Sequence, residues 1–303
     1  MNKAYRAGTI KRQRRTSAEI EQLDQQIIEV LSEDHPQSVR HVFYRMTDPR
    51  LPEPVEKSDR GYRHVQDRVK KLRRDGRVPY GWIADATRRG YHVSTYTDAA
   101  DFLRSMSWLY RGDLWAQSQY YVEVWCESRS IAGVIQETCR ELAVSLYPCG
   151  GFSSITLAYE AAQTINQACR DGKTAVIYYI GDYDPAGVLI DEALERELRE
   201  HLDPDVVLCF WRIGITEEQI AEFDLPAKPR KATDLRALHI KETVEAEAMP
   251  AHILRDILRR EIEIWLPQDA LAVTKVAEAS ERDHLRRMAE LMKAGAGEDE
   301  DGS

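Results

Sequence analysis

The stretch from residue 120 to residue 214 constrains this chain more than any other. Its most apolar run, TAVIYYI at 174–180, is seven residues long and carries no charge. A run that short and that uniformly apolar suits a strand covered on both faces. A half-exposed strand would alternate polar and apolar residues, and a helix would need ten or more. YYVEVW, VSLYP and DVVLCFWRIGI read as further strands, and RSIAGVIQETCREL, SITLAYEAAQTINQAC and AGVLIDEALERELREHL as helices between them. Strands alternating with helices predict right-handed crossovers and a mostly parallel, Rossmann-like sheet with helices on both faces. An α/β domain is therefore expected over residues 119–292. Its last part, from AMPAHILRDILRREIEIWL onward, is helical and charged and is expected to pack on the sheet domain or a partner.

The front of the chain has a different rhythm. Thr16 with Glu19 three residues on is a capping box, and Ile20, Leu23, Ile27 and Leu31 then recur at helical spacing. A second helix is expected over QSVRHVFYRM, with Pro36 in its first turn and Val39, Phe43 and Met46 as its apolar stripe. A third is carried by Tyr62, Val65, Val69 and Leu72, with Gly76 placed to end it. RVPYGWIADATR reads as a short extended segment with a turn. Three short helices plus a wing outline a winged-helix module over residues 16–95. Its third helix would face the duplex through Arg63, Arg68, Lys70, Lys71, Arg73 and Arg74.

Charge supports that orientation. The chain carries −9 overall, but residues 1–95 hold 20 Lys and Arg against 13 Asp and Glu, and the remainder 22 against 38. A basic front half joined to an acidic back half points to a polyanion as partner, which for a winged helix would be double-stranded DNA; a disordered tail and a solvated helix face are the plain alternative. Residues 1–15 form a basic arm, 96–118 a helical linker, and 293–303, ending GEDEDGS, an acidic tail expected to lack structure.

Several classes are argued against. No run of 18 apolar residues exists, so no membrane span is expected, and MNKAYRAGTIKRQRR lacks the apolar core of a secretory signal. The expected location is cytoplasmic, associated with DNA. The five cysteines, Cys126, Cys139, Cys149, Cys169 and Cys209, form no CxxC pair and read as buried reduced thiols. The eight histidines form no HxxxH or Cys/His cluster, which argues against zinc. DGKT at 171–174 has Gln167 where a phosphate loop needs glycine, and it precedes a strand rather than a helix, so no ATPase site is expected.

In open parallel sheets ligands bind beyond the carboxyl ends of the strands. Glu127 stands just past YYVEVWC, and Asp182 and Asp184 stand just past AVIYYI. If those strands are neighbours, three carboxylates converge, and like charges in one place call for a cation. Hard oxygen ligands suit Mg²⁺, or Mn²⁺, which shares its shell with water and phosphate. One residue between the aspartates lets both point to one side of an extended turn. Gly181 and Gly187 permit close approach of backbone and metal, and Pro185 stiffens the turn. An isolated Asp-x-Asp is equally the mark of a turn with side-chain caps. Glu245 and Glu247 read as an accessory acidic site or as a solvated turn.

This combination resembles the toprim domain, which carries a glutamate after its first strand and an Asp-x-Asp after a later one. GDYDPAG is similar to the form found in the A subunit of topoisomerase VI and its relatives, and CGGFSS at 149–154 resembles their glycine-rich turn. That family, which includes the meiotic double-strand-break protein, carries a catalytic tyrosine in a winged helix, four residues after an arginine. The matching run here is Arg40, His41, Val42, Phe43, Tyr44, with His41 where an acid is usual. On a helical wheel Tyr44 lies roughly 100° from Phe43 and about 40° from Arg40, which places it off the core face; a core or rim tyrosine is the plain alternative.

The resemblance spans about residues 20–215 and implies DNA cleavage. Tyr44 would form a phosphotyrosyl link, with Mg²⁺ on Glu127, Asp182 and Asp184 and the phosphate held by Arg40 and Arg45. It also implies a homodimer, in which the tyrosine of one subunit meets the metal site of the other, and strand passage would need a separate ATPase subunit of the B type. The alternatives are a toprim nuclease that uses metal-activated water and a non-catalytic DNA-binding protein. A primase is disfavoured by the lack of a zinc module.

Overall fold

In the computed structural model the capping box closes: Glu19 N–H donates to Thr16 Oγ1 at 3.2 Å and Thr16 N–H to Glu19 Oε2 at 2.6 Å. Helix α1 (Ser17–Glu33) buries Leu23, Ile27, Val30 and Leu31. The structure describes residues 15–84, 93–150, 155–230, 237 and 240–300, which fall into two units, Met1–Ala84 and Asp85–Ser303. The basic arm (to residue 14), the glycine-rich turn at 151–154 and residues 85–92 of the expected wing lie outside the described residues.

In the first unit α2 (Val39–Met46) is capped by Ser38, whose Oγ accepts from His41 N–H at 3.2 Å. Pro36 therefore precedes the cap and is not in the first turn, because Ser38 supplies the acceptor that starts the helix. Helix α3 (Asp59–Arg74) starts at Ser58 and ends where Gly76 turns at φ +73°, its N–H bonded to Arg73 O at 3.2 Å. Among the described residues of this unit the only strand-like pairing is an isolated parallel bridge between Gln37 and Ile83, beside a helical turn at Tyr80–Trp82.

The second unit is α/β. Strands β1 (Tyr120–Cys126), β2 (Ser145–Pro148), β3 (Thr174–Ile180) and β4 (Leu208–Gly214) form one all-parallel sheet in the order β2-β1-β3-β4. Helices α5 (Arg129–Glu141), α6 (Ile155–Ala168) and α7 (Gly187–His201) make the crossovers, and the short α8 (Glu217–Glu222) follows β4. Alternation assigns the faces. Trp125, Ala175, Ile177 and Tyr179 pack against Ala158, Ile165, Leu194 and Leu198 of α6 and α7. On the other face Tyr178 Oη donates to Glu261 O at 2.7 Å and accepts from Trp265 Nε1 at 2.6 Å, tying down α9 (Ala251–Glu263). β3 is buried from Ala175 to Ile180, as its apolar run requires.

The expected linker is part of this unit. Helix α4 (Ala99–Met106) packs on α10 (Ala270–Glu300), Arg111 Nε reaches Glu278 at 3.2 Å, and Trp115 Nε1 donates to Leu142 O at 2.9 Å. The backbone of the acidic tail continues α10 through Glu300 rather than lacking structure. All five cysteines are free thiols. Among the described residues no helix is long and apolar enough to cross a membrane.

Candidate carboxylate site at the sheet edge

The order β2-β1-β3-β4 reverses direction between β1 and β3. The chain leaves β1 toward one side of the sheet and β3 toward the other, which opens a crevice at their carboxyl ends. Glu127 and the loop 181–187 flank that crevice. The ladder runs into it: Glu127 N–H donates to Ile180 O at 2.8 Å, and Gly181 N–H to Gly214 O at 2.8 Å. Glu127 Oε2 accepts from Asp182 N–H at 3.1 Å.

The two aspartates divide their work. Asp184 Oδ1 accepts from the N–H groups of Ala186 at 2.9 Å and Gly187 at 2.6 Å, and so caps the start of α7. Asp182 Oδ1 accepts from Ala246 N–H at 2.8 Å, in a turn 64 residues further on. Burial, reinforced by the charges of Glu127, Glu247 and Glu245, pushes the Asp182 carboxyl up to about 8. Burial and the charges of Asp184 and Glu247 also raise Glu127.

The glycines serve the protein's own packing rather than an approaching ligand. A Cβ on Gly187 would stand 2.2 Å from Asp182 O, and one on Gly181 would stand 2.7 Å from the Tyr179 ring and 3.0 Å from Glu127 Oε2.

Sequence reasoning missed two residues here and left a third undecided. Arg212, from β4, donates to Gly181 O at 3.0 Å, Gly187 O at 2.7 Å and Asp191 Oδ2 at 2.6 Å, and so gathers the loop from behind. An arginine inside an apolar strand was the available signal. Tyr179 is wholly buried beside Glu127. Glu247, read above as part of a site or of a solvated turn, is buried at 6% exposure and accepts from Ser128 Oγ at 3.3 Å and from Ser130 Oγ. Glu245 instead pairs with Lys228 at 2.9 Å.

The donor set is all oxygen and anionic, which fits a hard divalent cation. Among the described residues no three His, Cys, Asp or Glu side chains are grouped so as to hold one ion by themselves. That is compatible with Mg²⁺, which binds through one or two carboxylates and completes its shell with water and phosphate.

The expected placement of Tyr44 off the core face needs correction. Tyr44 is 6% exposed and sits in the core of the first unit, its ring tilted 5.3 Å from Phe43, with Lys57 Nζ 5.9 Å above it. Helix α2 buries five of its eight residues, His41, Val42, Phe43, Tyr44 and Met46, because α1, α3 and the Val55 segment enclose it. The single outward face assumed from the helical wheel does not exist. Arg40 lies over the Tyr62 ring at 5.3 Å, and Arg45 pairs with Glu33 at 3.2 Å.

The basic helix divides as well. Arg63, Lys70, Lys71 and Arg74 are exposed. Arg68 is turned inward and grips Asp24, itself 2% exposed, through two charge-assisted bonds, one of 2.6 Å. Arg73 stacks on the Tyr80 ring at 4.5 Å. Arg68 and Arg73 thus hold contacts within the first unit. No protein-family model matches the chain, and no curated protein or solved structure matches it significantly.

Proposed function

We propose that this protein cleaves duplex DNA in the manner of the topoisomerase VI A subunit, with a winged-helix first unit and a toprim second unit. The observation that carries the reading is the carboxylate cluster at the switch point, where Asp182 is pushed up to about 8 by burial and by neighbouring acids. Such a concentration of like charge at a sheet edge is an arrangement suited to a cation and a phosphate. Of Glu127, Asp182 and Asp184, one or two would ligate Mg²⁺ or Mn²⁺ directly, and water and phosphate would complete its shell. When bound, the ion stabilises charge on the phosphate and orients it. The exposed Arg63, Lys70, Lys71 and Arg74 hold the DNA backbone and contribute salt-dependent affinity. Tyr44 Oη attacks phosphorus as the bond to the leaving sugar oxygen breaks, with Arg40 and Arg45 on the phosphate. The protein acts as a homodimer, one tyrosine per strand, and strand passage takes a separate ATPase subunit.

The burial of Tyr44 favours a second reading, a metal-dependent nuclease in which water is the nucleophile. Incubation of labelled duplex with Mg²⁺ or Mn²⁺, quenched in denaturant, separates the two. Label migrating with the protein, and lost in Tyr44→Phe, supports the tyrosine. Free ends that persist in Tyr44→Phe establish hydrolysis. Intact DNA with both metals, with and without an added B-type ATPase subunit, rules out both.

A further inference from the structure

Glu247 is held against the Asp182 loop by backbone bonds. Tyr183 and Val244 form an antiparallel bridge with N–H to O distances of 2.8 and 2.9 Å, and Ala246 N–H reaches Asp182 Oδ1 at 2.8 Å. The adjoining Glu247 side chain is carried inward, where Ser128 and Ser130 donate to Oε1. Among the described residues no Lys or Arg pairs with it, yet its charge bears on both Glu127 and Asp182. Three buried carboxyl groups this close cannot all be ionised unless a cation is shared.

A second, independent observation points to a ligand. The Tyr179 side chain is wholly buried, and its hydroxyl has no hydrogen-bond partner among the described residues. It faces Glu127: the point 2.9 Å from Tyr179 Oη where a Gly181 Cβ would stand is 3.0 Å from Glu127 Oε2. A buried donor left over by the protein at the edge of an acidic site marks the position of an outside oxygen.

We propose that Glu247 is a cation ligand of this site, sharing a divalent ion with Asp182, and that the Tyr179 hydroxyl donates to a water or phosphate oxygen in the ion's shell. The inference rests on the carboxylate-site reading above and adds to it a ligand from a turn more than sixty residues beyond the Asp-x-Asp. Asp184, with one oxygen committed to the cap of α7, is the weaker ligand of the two aspartates.

The test is Mn²⁺ binding to the full chain without DNA, followed by the loss of the free-ion electron paramagnetic resonance signal, with thermal melts in EDTA and in Mn²⁺. Glu247→Gln keeps an acceptor for the serines and removes one negative charge. It should weaken Mn²⁺ binding at least tenfold, melt no lower than the parent in EDTA, and lose the gain in melting temperature that Mn²⁺ gives the parent. Glu137→Gln, on an exposed part of α5, should change none of these. Tyr179→Phe removes only the unpartnered hydroxyl and should weaken Mn²⁺ binding by a factor of two to five while leaving the EDTA melt unchanged. Parental affinity in Glu247→Gln, with affinity lost in Asp182→Asn, overturns the role of Glu247 and leaves the carboxylate site standing. A lower EDTA melt with parental affinity makes Glu247 a structural partner of the serines and equally overturns the proposal. A parent that binds no Mn²⁺ overturns the proposal and the site together.

Discussion

Replacing Arg68 separates what holds the first unit together from what would hold DNA. Its partner Asp24, on α1, is 2% exposed, so Arg68→Met would strand a carboxylate in the core. Removing one partner of a buried pair destabilises by about 3–5 kcal/mol. Arg77 Nη1 lies 3.8 Å from Asp24 Oδ2 and offsets part of that loss, which brings the expectation to about 2–3 kcal/mol. At about 1.4 kcal/mol per decade, slow amides of α1 and α3 that exchange through opening of this unit should exchange roughly 30–150 times faster. Hydrogen exchange read on peptides from 17–33 and 59–74 measures this without assuming that the two units unfold together. The Asp24→Asn, Arg68→Met double variant should recover most of the loss, since no buried charge is then left alone. DNA affinity of Arg68→Met, measured where the unit remains folded, should match the parent. Lys70→Met or Lys71→Met should leave exchange unchanged and reduce the slope of log K against log[salt] by roughly 0.9 for each phosphate that is no longer neutralised. Unchanged exchange in Arg68→Met together with weakened DNA binding would refute the reasoning and return Arg68 to the DNA-facing set.

The raised Asp182 carboxyl sets a pH dependence. Its folded value of about 8 lies above its ordinary 3.8, so the folded state binds the extra proton, and stability without metal should fall as pH rises from about 4 through 8. Glu127, also raised, acts in the same direction. Urea midpoints in EDTA at pH 5 and pH 8 should differ in the parent and differ less in Asp182→Asn; a parent more stable at pH 8 would contradict the burial argument. Gly187→Ala places a methyl where Asp182 O stands 2.2 Å away, so it should destabilise by about 1–3 kcal/mol and weaken Mn²⁺ binding, read by thermal melts with and without the ion. An unchanged melt would mean the loop yields freely.

The sheet was legible because burial on both faces leaves a mark in the local sequence: TAVIYYI has no polar face to show, and β3 has none. The same holds for Glu127 and the Asp-x-Asp, since strand ends can be placed from run lengths and the crevice follows from their alternation with helices. Tyr44 misled because a wheel drawn on eight residues assumes one covered side, and α2 is covered nearly all round. Arg68 misled because its partner is 44 residues away, and an inward arginine among outward ones looks identical in sequence. Glu247 depends on a closure between distant turns, a bond from Ala246 to Asp182 that no local pattern encodes. The linker looked separable because Arg111, Trp115 and Tyr110 find their partners on α5 and α10, beyond any local window.

The backbone pairing described at the crevice continues past every strand end. Cys149 N–H bonds Cys126 O at 2.8 Å, Gly150 N–H bonds Glu127 O at 2.8 Å, and Ile215 N–H bonds Gly181 O at 2.9 Å. The acidic loops are thereby woven into the sheet instead of hanging from it. The carboxyl groups cannot relieve their mutual repulsion by spreading the loops apart, and burial together with that repulsion raises Asp182 and Glu127 instead. If the proposed ion binds there, the loops that carry its ligands are already fixed in the sheet, and little of its binding energy is diverted into ordering them.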